Sequence, residues 1–180
     1  MKNDILKIPQ IHLNENGELI ITASDSSSKY DFDFFQGKSD ILNKKLKQRL
    51  SNCTEWIEFP STQEMYKILH GIGNIDNFLA TFDGKPFEGM TVRLFNPETR
   101  LWSIYWSDSN TGILDKPVIG SFENKVGHFF SKDIYEGKKV FQVFRWDARD
   151  ENNPVWSQAM SEDSGKSWEW NWYMYMTKRK

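Results

Sequence analysis

From Cys53 to Met176 the chain is a succession of short runs rich in aromatic and β-branched residues, each ended by turn formers within a few positions. Connections of that length leave no room for crossover helices, so neighbouring runs must pair antiparallel through hairpins. The alternation predicts strands at 54–59, 65–71, 78–82, 89–95, 101–107, 118–122, 127–132, 139–147, 155–161 and 167–176. Asn96-Pro97-Glu98-Thr99-Arg100, Glu123-Asn124-Lys125, Tyr135-Glu136-Gly137 and residues 150–154 carry the residues that tight turns need. About ten hairpin-linked strands form a barrel or a sandwich.

The side chains agree. Aromatic residues make up 15% of the 180, and all eight Trp lie between Trp56 and Trp172. Such residues bury large areas and favour half-buried pleated surfaces.

Residues 1–30 read as an arm or linker, with a turn at Asn16-Gly17, a short strand at Leu19-Ile20-Ile21 and a polar stretch at 24–29. The arm is expected either on the outside of the domain or on a second subunit, as in a homodimer. Residues 31–180 form the domain. Asp31-Phe32-Asp33-Phe34-Phe35 reads as a helical turn or aromatic plug ended by Gly37. The stretch 39–50 fits two patterns. Ser39 or Asp40 caps a helix carrying Ile41, Leu42, Leu46 and Leu50, or a strand sets Leu42, Leu46 and Leu50 opposite Lys45, Lys47 and Arg49.

Charge excludes some partners. A formal net charge of −2 gives no electrostatic reason to expect nucleic acid or an anionic membrane, and Lys178-Arg179-Lys180 is too short to change that. The lone Cys53 cannot form an intramolecular disulfide. Residues 1–10 lack a continuous apolar segment, and no stretch approaches the roughly 20 apolar residues of a membrane helix. The cytoplasm is the expected compartment.

Ser161-Glu162-Asp163-Ser164-Gly165-Lys166-Ser167-Trp168 fits the Asp-box pattern. Sialidases carry it too, but one copy in a short chain reads as a hairpin lock. Pairing Ser161 with Trp168 sets Met160 opposite Glu169, Gln158 opposite Asn171 and Trp156 opposite Tyr173. One face then carries Trp156, Gln158, Met160, Glu169, Asn171 and Tyr173. The other carries Val155, Ser157, Ala159, Trp168, Trp170, Trp172 and Met174. Aromatic walls around a Gln–Asn–Glu cluster resemble a ligand lumen, which makes the first face the candidate binding face; the alternative is a solvated stripe beside a Trp-rich core. A four-residue loop around Asn96 to Thr99 pairs Arg93 with Trp102, beside Ile104 and Trp106. Arg93 there either grips an anionic group or lies over surface aromatics.

No metal site is expected, because His12, His70 and His128 lack ligand spacing. A single histidine is enough for an axial haem ligand, although a structural role is expected of each. Cys53 has no paired histidine, and Gly71-Ile72-Gly73-Asn74 reads as a bend rather than a phosphate loop.

Several segments in order resemble a family of uncharacterised bacterial proteins with a calycin (lipocalin-like) barrel. They are residues 32–38, 73–76, 89–99 and 102–106, then Trp156-Ser157-Gln158 and residues 161–172, ending Trp168-Glu169-Trp170-Asn171-Trp172. The resemblance spans about Asp31 to Lys178. It implies an all-β, antiparallel barrel and a strand at 39–50. Where lipocalins carry Gly-x-Trp at the start of that strand, this chain has Gly37-Lys38-Ser39, and Phe34 and Phe35 are expected to plug the end instead.

These readings favour a binding barrel for a small apolar or amphipathic ligand, with Arg93, Trp102, Trp106, Trp156, Gln158, Glu169, Asn171 and Tyr173 as contacts. A barrel enzyme of isomerase, cyclase or lyase type would use Glu169 as general acid or base. A filled barrel acting through its surface is the third reading.

Overall fold

The computed structural model describes residues 7–82 and 84–179. Residues 1–6, within the segment expected to lack a leader, and Lys180 of the basic tail lie outside the described residues. A small hairpin, β1 (His12–Leu13) and β2 (Leu19–Ile20), precedes a 3-10 turn, Asp33–Phe35. Ten strands follow: β3 (Gly37–Leu46), β4 (Trp56–Ile68), β5 (Gly73–Phe82), β6 (Lys85–Asn96), β7 (Leu101–Asp108), β8 (Val118–Glu123), β9 (Val126–Tyr135), β10 (Lys138–Asp147), β11 (Val155–Ser161) and β12 (Glu169–Lys178). Each pairs antiparallel with the next, and β12 returns to pair with β3, so the sheet closes into a ten-stranded barrel. Closure leaves no free sheet edge.

The chain from Ser39 is a strand, as the resemblance implied. Its odd residues Ser39, Ile41 and Asn43 are buried, while Leu42 is about half exposed. The runs expected at 54–59 and 65–71 are one strand, β4. Pro60 interrupts the pattern but not the strand, because it lies just outside the β4–β5 ladder, which begins at Ser61 opposite Ala80. The Gly71 region is the turn between β4 and β5, with Leu69 and His70 in the left-handed region.

Phe32, Phe34 and Phe35 close one end of the barrel. Phe32 packs edge-on against Trp102, Phe122 and Trp146, with centroids 5.0, 5.0 and 5.7 Å away. The missing lipocalin Trp is thus replaced by three phenylalanines. Asp31 anchors this plug, accepting hydrogen bonds from the Ser28 N–H and hydroxyl, the Ser27 hydroxyl and the Trp102 indole.

The residues before the plug lie on the outside of the same barrel. Ser24 N–H donates to Ser121 Oγ at 3.0 Å, and Lys132 Nζ donates to Gly17 O and pairs with Glu18. Ile11 comes up against Gly165 of the β11–β12 turn. Beneath the arm, the outward residues Arg145 and Ser157 are buried. His128 opposes Arg145 across the β9–β10 ladder. Burial, with Arg145 adding to it, pulls the His128 imidazole down to about 4.

That shift has a sign. Between pH 6.5 and about 4 the unfolded chain binds a proton that the folded one refuses, so stability falls as pH falls through this window. The expected loss is about 3 kcal/mol. Urea midpoints at pH 7, 5.5 and 4 should show it for the wild type. His128→Gln should have a distinctly shallower slope; an unchanged slope would remove His128 as its source.

Candidate functional site: an aromatic cavity with a basic mouth

Above the plug the barrel holds a cavity of about 960 Å³. Its size is that of a small-molecule pocket, so the barrel is not filled by its own aromatics. Phe78, Trp106, Phe144, Trp156 and Trp172 form its walls. Trp156 meets Phe144 and Trp172 edge-on, at 4.9 and 5.6 Å between centroids. Trp106 lies so close to Gly89 that a Cβ there would fall 2.0 Å from its ring. The absent side chain at Gly89 is what lets the indole lie flat against the wall.

The floor is made by Arg93. Its Nη1 donates to Asn74 Oδ1 at 3.0 Å and to Asp76 Oδ2, and all three residues are buried. The guanidinium carbon lies 5.0, 5.2 and 5.4 Å from the ring centres of Phe32, Phe35 and Trp146. The hairpin pairs Arg93 with Ile104 and Phe95 with Trp102, not Arg93 with Trp102, because the four-residue loop is 97–100 rather than 96–99 and ends at Arg100 with positive φ. The shift of two keeps the facing, so Arg93, Ile104 and Trp106 still line the cavity. Trp102 lies deeper, in the plug, with its indole N–H donating to Ser28 O. Arg93 is therefore matched by Asp76 and is neither a free cation nor a surface stack.

A polar line crosses the wall. Ser131, Gln142, Gln158 and Asn171 stand on four adjacent strands, with Gln142 Nε2 donating to Gln158 Oε1 at 3.0 Å and Gln158 Nε2 to Asn171 Oδ1 at 2.8 Å. Gln63 also lines the cavity, about nine-tenths buried, and its Oε1 has no partner among the described residues.

The β11–β12 hairpin corrects the expected faces. Near the turn the register is as expected, with Met160 opposite Glu169. Asp163 accepts from the Ser161 hydroxyl and from the Ser167 N–H and hydroxyl, which pins the turn. A bulge then intervenes: Ala159 faces Trp170 but Gln158 faces Trp172, leaving Asn171 as the extra residue. Beyond it Trp156 opposes Met174 rather than Tyr173. Trp172, Met174 and Met176 consequently line the cavity, while Tyr173 turns outward and stacks on Tyr175 at 6.1 Å. Glu169 sits at the rim, where its Oε1 accepts the Leu50 N–H at 2.8 Å, and it is not among the lining residues. The structure thus gathers Arg93, Trp106, Trp156 and Gln158 at one cavity with Asn171 behind Gln158. Trp102, Glu169 and Tyr173 stand apart from it.

Lys45 and Arg49, not singled out in the sequence, line the mouth. The Lys45 ammonium lies 4.2 Å from the centre of a Trp172 ring, and Arg49 lies over Tyr135 at 5.9 Å. Burial pulls Lys45 down to about 8, with Arg49 adding to the shift, and burial lowers Arg49 as well. The signal for them was the odd face of 39–50, where cations alternate with leucines. The 109–117 connection supplies Ile113 and Leu114, both well exposed, to the opposite lip. None of the three histidines lines the cavity, so a histidine-ligated haem does not fit it.

No protein-family model and no curated protein matches the chain. Among solved structures it is similar to the S-type phycobiliprotein lyase CPES from Guillardia theta. The TM-score is 0.58 at 9% identity, over 87% of this chain and 94% of that one. At that identity the likeness establishes the shared lipocalin-like barrel fold.

Removing one partner of a buried ion pair costs far more than replacing both. Arg93→Met should destabilise the protein by about 3–5 kcal/mol, because it strands Asp76 at the cavity floor. Arg93→Met combined with Asp76→Leu should recover much of that loss in urea unfolding. Additive losses in the double variant would refute the pairing as the source.

Proposed function

We propose that the barrel binds a small, largely apolar or amphipathic molecule in its lumen and is not itself an enzyme. The observation that carries this reading is the aromatic cavity of about 960 Å³, open at one end and crossed by a line of amide side chains. A ligand burying about 300 Å² of apolar surface against these walls would gain roughly 7 kcal/mol before association costs. Gln63 and the Gln142–Gln158–Asn171 line would orient its polar groups.

The enzyme reading has less support. Glu169 is engaged by Leu50 at the rim, away from the walls where a substrate would lie. Among the described residues no helix is long and apolar enough to cross a membrane, and we retain the cytoplasm as compartment. Membership of the bacterial calycin-like family is likewise part of this reading, resting on the ordered motifs from Phe32 to Trp172. So is the absence of nucleic acid among its partners.

Nile red, a neutral apolar dye, tests lumen binding. The wild type should bind it with a blue-shifted, enhanced emission. Thr91→Phe, which places a ring where a buried Thr now lines the lumen, should lose most of that signal while still folding. No dye binding by the wild type, or equal binding by the variant, would overturn the lumen as the site.

A further inference from the structure

We propose that Lys45 and Arg49 form the receptor for a single anionic end group, such as a carboxylate, on the molecule held in the lumen. The inference deepens the cavity-binding reading and rests on it. Its basis is a pair of cations lining the mouth of an aromatic cavity, neither of them in an ion pair among the described residues.

β3 presents Ser39, Ile41 and Asn43 inward, and Lys45 continues that face at the mouth, with Ile57 opposite it in the β3–β4 ladder. Trp172, itself fixed by its indole N–H on Asn43 Oδ1 at 3.1 Å, presents its ring face to the ammonium. Arg49 is positioned by Tyr135 at the end of β9. Among the described residues neither cation has a carboxylate within ion-pair distance. Their neighbours do: Lys47 pairs with Glu55, and Lys132 with Glu18. The acid that acts on Arg49 is Glu169, from beyond ion-pair distance at the rim, where its Oε1 accepts the Leu50 N–H. A partly buried cation without an acceptor is poorly solvated, and an anion arriving from the lumen meets that need with charge-assisted hydrogen bonds.

The rest of the mouth narrows the ligand further. Asp108 at the end of β7 and Asp115 in the 109–117 connection line it on the side across from β3, with Lys116 beside them, while Asp133 lines it from β9, two residues from Tyr135. The two carboxylates outnumber Lys116 on that side and disfavour a second anionic group there. The receptor therefore suits one charged head at the β3 side, with an apolar body lying down along Trp172, Trp156 and Phe144.

The test uses displacement of bound Nile red by two twelve-carbon competitors, dodecanoate and dodecanol. At pH 7 the wild type should prefer the carboxylate at least about tenfold. Lys45→Met and Arg49→Met should each bring that preference towards one. Lys45→Met should also melt no lower than the wild type, since it removes an unmatched charge. Raising the pH from 7 to 9 should weaken dodecanoate in the wild type, because Lys45 loses its proton near 8. The groups acting there are Arg49, which stays charged, the Trp172 ring and Ile57 beside Lys45, and Glu169 and Tyr135 beside Arg49. In Lys45→Met that pH dependence should flatten. Dye binding without carboxylate preference, or with a preference that both variants keep, overturns the anion receptor alone. Absence of dye binding overturns the lumen reading and the receptor with it.

Discussion

Closure of β12 onto β3 imposes the constraint on which the rest of the molecule depends. In a closed sheet every strand residue points either to the lumen or outward, and a shift of one residue reverses the assignment. The bulge at Asn171 is such a shift, made on purpose within one strand. It turns Trp172, Met174 and Met176 inward where they complete the cavity wall, and sends Tyr173 and Tyr175 outside. Asn171 tolerates the position because its side chain is satisfied from both sides, by Gln158 and by the Glu169 carbonyl. The polar line in the wall is thus also the device that holds the bulge.

The closed end is built from the arm as much as from the barrel. Asp31 collects the Ser27, Ser28 and Trp102 donors, and this cluster seats Phe32 among Trp102, Phe122 and Trp146. Arg93 then lies on the lumen side of the same rings, matched by Asp76. Plug, floor and cavity share one set of aromatic faces, so disturbance of the arm near Ser28 is transmitted directly to the bottom of the lumen. Hydrogen bonds and stacked rings, not a long loop, make that connection.

Much of this fold was legible in the chain because strand alternation and turn chemistry are local. Nine of the barrel strands, β4 in two pieces, the aromatic plug and the pinned turn at Asp163 follow from neighbouring residues, whereas β3 needed the resemblance to decide it. Pro60 misled, because whether a proline ends a strand depends on where the partner's ladder begins. The Asn171 bulge misled in the same way: nothing in Trp170-Asn171-Trp172 says that the middle residue is the unpaired one. Half of the candidate site shared that fate. Arg93, Trp106, Trp156 and Gln158 were placed by parity alone, whereas Tyr173 depended on a register that the bulge resets, and Glu169, correctly paired with Met160, is held at the rim by the Leu50 N–H. Lys45 was not picked out because alternation alone could not say which side of the segment faces the lumen; Leu42 turns outward, while Lys45 and Leu46 both line the cavity.

The inward turn of Lys45 is the most informative feature of the segment in retrospect. The molecule treats its inward and covered cations in two ways. Arg93 is buried against Asp76, and Arg145 under the arm pairs with Asp147, which its arginine neighbours hold at about 2 despite burial. Both are matched, as a charge retained for the fold must be. Lys45 is not, and the barrel would pack more comfortably with an aliphatic residue in its place, as Leu42 on the outer face shows the segment can supply. A fold under selection for stability alone has no use for an unmatched ammonium against Trp172. Its presence, at the open end and beside a second cation, is what a binding site costs its own scaffold when the missing counter-charge arrives with the ligand.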